Sequence, residues 1–138
     1  MFFISMLFSS GMSNAQLTVS NVEFYPEIKG EYLKLDNYPI NPWTRNSKDA
    51  GTNSYFHEDN KTKHGFWIVR INNYWHVEEM LAGAIALRYR SKKESFEKDP
   101  KCGIEWEVWN MVWYDYGTKP YYSGKEAKNL CISSNVYN

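Results

Sequence analysis

The chain has 138 residues, enough for one domain. Its 16 Lys plus Arg balance 16 Asp plus Glu, so the formal net charge is zero, which removes the basic surface that binding to a phosphate backbone needs and gives no case for an anionic membrane surface. Aromatic residues make up 17% of the chain, as 11 Tyr, 7 Phe and 6 Trp, and because each buries a large area a small domain builds a core from few of them.

Met1 to Phe8 form an apolar run, followed by small residues at Ser13 and Ala15 that fit a small-x-small cleavage pattern before Gln16. The run is shorter than the roughly 20 residues of a membrane-spanning helix, and the usual basic start is missing. Residues 1–15 are therefore expected to be a secretory signal and residues 16–138 a single mature domain, with a core-docked or disordered start as the alternative. Two further features agree with export. Cys102 and Cys131 are an even pair, and a bridge between them would close a loop of about 30 residues and contribute roughly 3–4 kcal/mol on the chain-entropy model. Asn60-Lys61-Thr62 is a glycosylation sequon in a polar loop.

Taken in order, Leu17 to Phe24 reads as a first strand whose apolar phase changes between Val19 and Val22, which predicts a bulge or bend. Glu31 to Asp36 reads as a short strand with Leu33 and Leu35 opposite Tyr32 and Lys34. Residues 37–53 are turn-rich, with Pro39, Pro42, Gly51 and several asparagines breaking any period. Ser54 to His57 and His64 to Ile71 read as a hairpin. The second arm has apolar residues on both faces, Trp67, Val69 and Ile71 against Phe66 and Ile68, as in a central strand covered on two sides. Asn72-Asn73 signals a tight turn. Residues 74–83 fit either a strand or a helical turn or two, and Ala84 to Arg90 alternates as a half-exposed strand. After a charged loop at 91–101, Ile104 to Trp109 alternates with Ile104, Trp106 and Val108 inward and Glu105 and Glu107 outward. This ribbon reads as the partner of residues 64–71. Met111 to Tyr116 continues it after a bend at Asn110, and a last short strand lies around Leu130 to Ile132. No long segment shows a capped helical period. The prediction is an all-β fold, a small antiparallel barrel or sandwich of seven to eight short strands.

The ordered set Val19 and Val22, Gly30-Glu31-Tyr32, Ser54-Tyr55, Phe66-Trp67-Ile68, Pro100 and Trp106-Glu107-Val108-Trp109 resembles a small aromatic-rich β module of extracellular proteins in protists and marine invertebrates. The resemblance covers about residues 17–110, with insertions at 37–53 and 72–84 and a tail after 110. It implies a fold and no catalytic residues.

The chemistry-bearing residues are few. His57, His64 and His76 fit no zinc spacing, the H-E-x-x-H helix is absent, and two cysteines exclude a thiolate-rich zinc site, so no metal or cofactor is expected. No nucleophile elbow or cysteine–histidine signature is present. Glu105 and Glu107 point the same way on one strand about 6.5–7 Å apart at Cα, a geometry that does not forbid a glycosidase pair needing about 5–5.5 Å between carboxyls; a solvated outer face is the commoner reason for such a pair. Trp43, Tyr74, Trp75, Trp113, Tyr121 and Tyr122 lie in or near loops and strand ends, where rings either cover the ends of the fold or stack on a sugar or a protein partner. The expectation is a secreted, non-enzymatic binding or structural domain recognising a carbohydrate or an extracellular protein through loop aromatics, with a small hydrolase using the strand carboxylates as the alternative.

Overall fold

The computed structural model describes residues 15–39, 44, 47, 53–97, 99–114, 117–119, 125–126 and 130–134. Among these residues ten strands form one antiparallel sheet: β1 (Ala15–Ser20), β2 (Gly30–Lys34), β3 (Tyr55–Glu58), β4 (Gly65–Ile71), β5 (Tyr74–Leu81), β6 (Ala84–Ser91), β7 (Trp106–Tyr114), β8 (Gly117–Lys119), β9 (Lys125–Glu126) and β10 (Cys131–Ser134). The order is β10-β1-β2-β3-β4-β5-β6-β7-β8, with β9 also on β7. The two shortest segments, β8 and β9, are attached only to β7, so eight strands carry the architecture. Among the described residues there is no α-helix, only a single 3-10 turn at Pro26–Ile28.

Alternation explains the curl. Leu17 and Val19 (β1), Tyr32 (β2), Tyr55 (β3), Phe66 and Ile68 (β4), Trp75 and Val77 (β5), Tyr89 (β6), Trp106 and Val108 (β7) and Ile132 (β10) belong to one buried cluster. Strands from both ends of the sheet can share one interior only if the sheet rolls on itself as a small barrel, in keeping with the twist of paired strands. Three contacts tie the two sides of the roll. The Tyr89 hydroxyl donates to the Phe24 carbonyl at 2.6 Å, the Tyr25 hydroxyl donates to the Trp109 carbonyl at 3.0 Å, and Cys102, just before β7, is bridged to Cys131 at the start of β10 with the Cα atoms 4.6 Å apart.

Strand β4 is covered on both faces, as its sequence predicts. Phe66 and Ile68 enter the barrel, while Trp67, Val69 and Ile71 form a second cluster outside it with Tyr38 from the long β2–β3 connection. The β4–β5 hairpin turns on Asn72 and Asn73, both left-handed at φ 52° and 70°, the geometry of a two-residue turn matched to strand twist. The segment that reads as strand or helix is β5, because its partners on both sides hold it extended through continuous pairing with β4 and β6.

Three expectations are corrected. The ribbons 64–71 and 104–109 are not partners: β5 and β6 lie between them, and their tryptophan-bearing sequences meet only through the shared interior. The first strand stops at Ser20, since Asn21 turns left-handed at φ 54°, and Val22 and Phe24 reach the core from a loop. On β6 the half-exposed alternation slips at Arg88. Val77 pairs with Tyr89 but Glu78 with Leu87, and on the other side Leu87 pairs with Met111 but Tyr89 with Val108. This bulge buries both Ala86 and Leu87 and turns Arg88 toward β5 and β7. The predicted bend at Asn110 is the β7 side of the same irregularity.

Candidate functional site

Of the six rings singled out by sequence, Tyr74 and Trp75 lie on opposite faces of β5. Trp75 is wholly buried in the barrel core, so it offers no face to a ligand; its place directly across from Arg70 on the inward side of β4 fixes this. Tyr74 is half-buried at the start of β5, with the Arg90 guanidinium 4.0 Å from its ring centroid. Trp113 lies on β7, paired with Ile85 and Thr118. Trp43, Tyr121 and Tyr122 lie outside the described residues. Asn60 is exposed at the tip of the β3–β4 hairpin, where the Asp59 carboxylate accepts from the backbone and hydroxyl of Thr62 at 2.7 and 2.8 Å.

Among the described residues, the large exposed aromatic is one the sequence did not single out. Phe96, in the β6–β7 loop, is 76% exposed, against the usual burial of such a side chain. The loop under it is firmly held. Lys92 N donates to the Glu105 carbonyl at 2.8 Å and Ser95 N to the Asn73 carbonyl at 2.7 Å. Arg70 Nη1 donates to the Glu97 carbonyl at 2.7 Å, the Tyr55 hydroxyl donates to Asp99, and the Cys102 bridge anchors the far end. The loop walls a cleft of about 460 Å³ lined by Lys93, Glu94, Ser95, Glu97, Lys101 and Glu105 among others, within the size range of small-molecule sites. Only the surrounding charge, not hydrophobic period, marks this loop in the sequence, which is why Phe96 escapes a reading based on strand patterns.

Two further polar groupings are built into the barrel. At the end where β4 begins, the Glu79 carboxylate, 5% exposed, accepts from Arg88 Nε at 2.9 Å and meets His64 Nδ1 at 2.5 Å. Arg88 reaches on to Asn110 and lies 4.7 Å over the Tyr25 ring. On the outer face, Glu78 takes the Tyr38 hydroxyl and His76 Nδ1 at 2.8 Å. The third imidazole, His57, places Nδ1 3.1 Å from the Glu31 carbonyl and stacks on Tyr32 at 4.9 Å. Each histidine is thus held through Nδ1 by a protein oxygen, which fixes ring orientation. Among the described residues no three metal-ligating side chains converge, and no helix is long and apolar enough to cross a membrane.

Also on the outer face, β5, β6 and β7 align His76, Arg90 and Glu107 in register. The Arg90 guanidinium lies over the rings of Tyr74 and Trp109, 4.0 and 5.3 Å from their centroids. Glu107 accepts from Trp109 Nε1 at 3.4 Å. Comparison with protein-family models, with curated proteins and with solved structures finds no match to this chain.

Proposed function

We propose that this chain is an exported, non-enzymatic binding domain that takes a carbohydrate or an extracellular protein on its β6–β7 loop. The observation that carries the reading is Phe96, held 76% exposed on a loop that is pinned by backbone, side-chain and disulfide contacts and that walls an open cleft. Keeping an apolar ring in water is unfavourable unless a partner covers it, and a pre-ordered loop loses little freedom when it binds. The bridged cysteines and the exposed sequon support an oxidising, extracellular setting, as does the resemblance to extracellular β modules.

The alternative, hydrolysis by Glu105 and Glu107, is less well supported. Glu105 is exposed in the loop before β7 rather than on the strand, and Glu107 is engaged by Trp109.

The test is a glycan array and a capture screen against secreted proteins, using the glycosylated protein recovered from culture medium. Phe96→Ala is expected to weaken the interaction about tenfold or more, as for a buried aromatic anchor, without lowering the melting temperature. Binding unchanged in Phe96→Ala, or retention inside the cell with an uncleaved N-terminus, overturns the reading.

A further inference from the structure

We infer that Arg90 forms a second site, on the outer face of the barrel, for the carboxylate of a hydroxylated acid such as a uronic-acid sugar. Among the described residues the Arg90 guanidinium has no hydrogen-bond or ion-pair partner, and its Nε is shielded from water without an acceptor. Every other half-buried arginine among them has a protein oxygen: Arg70 donates to the Glu97 carbonyl and Arg88 to Glu79 and Asn110. The rings of Tyr74 and Trp109 both contact the guanidinium, which stabilises the cation and restricts its fork. A fixed guanidinium without a partner matches a carboxylate with two parallel N–H···O bonds.

The neighbours narrow the ligand. Glu107 is the cross-strand partner of Arg90 on β7, and its carboxylate turns to the Trp109 indole rather than to the arginine. His76 is the cross-strand partner on β5, held by Glu78. A fixed negative charge beside the cation disfavours a dianion such as sulfate. The same carboxylate keeps acceptor capacity for a hydroxyl donor. One carboxylate and adjacent hydroxyls on one small molecule satisfy both requirements. This site rests on Arg90 and not on Phe96, so its test stands or falls independently of the loop reading.

The experiment titrates the whole protein with glucuronate, glucose, acetate and sulfate, following tryptophan fluorescence and calorimetric heat. Saturable binding of glucuronate is expected, with glucose and acetate each about tenfold weaker or more, since each lacks one half of the recognition. Arg90→Lys keeps the charge but loses the fork, and is expected to lose at least about tenfold in glucuronate affinity with the far-ultraviolet spectrum unchanged. Glu107→Gln is expected to weaken glucuronate and strengthen sulfate. No saturable glucuronate binding, sulfate binding as tightly as glucuronate, or affinity unchanged in Arg90→Lys overturns the assignment. Should Arg90→Lys fail to fold, the change of selectivity in Glu107→Gln decides the question alone.

Discussion

Glu79 and Arg88 show how a single side chain inside this barrel is made tolerable. A carboxylate buried this deeply is costly unless paired and hydrogen-bonded, and Arg88 and His64 supply the partners. Removing one partner strands the other, so Glu79→Leu is expected to cost on the order of 3–5 kcal/mol, and Glu79→Leu with Arg88→Met together much less than the sum of the two alone. Urea denaturation of the four proteins checks this; additive losses would show that the pair is not coupled. The buried phenols carry a second prediction. Burial pushes the Tyr89 hydroxyl up to about 12, and burial followed by the Asp99 hydrogen bond pushes Tyr55 further; burial alone raises Tyr32. Groups raised in the folded state contribute stability that is complete below the unfolded tyrosine value of about 10 and is lost as pH climbs through the folded values. Melting temperature is therefore expected to hold to about pH 10 and then fall, with phenolate absorbance of these three appearing together with unfolding. At the acid end the Lys34 side chain, hydrogen-bonded to Asp36, holds that carboxyl below its ordinary value, so its contribution is present above the usual carboxylate range and fades as pH falls through it.

Among the elements, the β2–β3 pair depends on a glycine. Gly30 opens β2 at φ 147°, and a Cβ there would stand 2.5 Å from the His57 ring that stacks on Tyr32. Gly30→Ala is expected to displace the imidazole and destabilise by about 1–3 kcal/mol, visible as a lowered urea midpoint and a shifted His57 resonance. The strands themselves are largely legible in the sequence, because alternation reports which face is covered. β4 declares both of its covers, and Trp106 and Val108 declare the inner face of β7. What alternation cannot express is order across the sheet. Nothing in residues 64–71 or 104–109 says that two strands separate them, and the Arg88 bulge, which moves one residue out of phase, looks in the sequence like ordinary amphipathic strand. The site suffers for the same reason. Trp75 and Tyr74 are adjacent letters on opposite faces of β5, so one fills the core while the other flanks Arg90. Phe96 carries no period at all.

For the whole molecule, the disulfide ties the edge strand β10 to the segment that leads into β7, across the curled sheet. Cys102 precedes β7 and Cys131 begins β10, so a bond 29 residues apart in sequence holds the edge strand β10 against the far side of the curled ribbon, where β7 already has neighbours on both sides. Replacing both cysteines by serine is expected to cost about 2–4 kcal/mol and to raise hydrogen exchange first in β10 and β1, the pair with the fewest neighbours on its outer side. Uniform loss of protection would instead mean that the barrel opens only as a unit. The pairing of Leu17 with Ser134 has a further consequence for biogenesis. β1 must wait for a partner far along the chain, so β2 to β7 can pair in sequence first, and the joining of β10 to β1 becomes the slow, concluding event of their assembly.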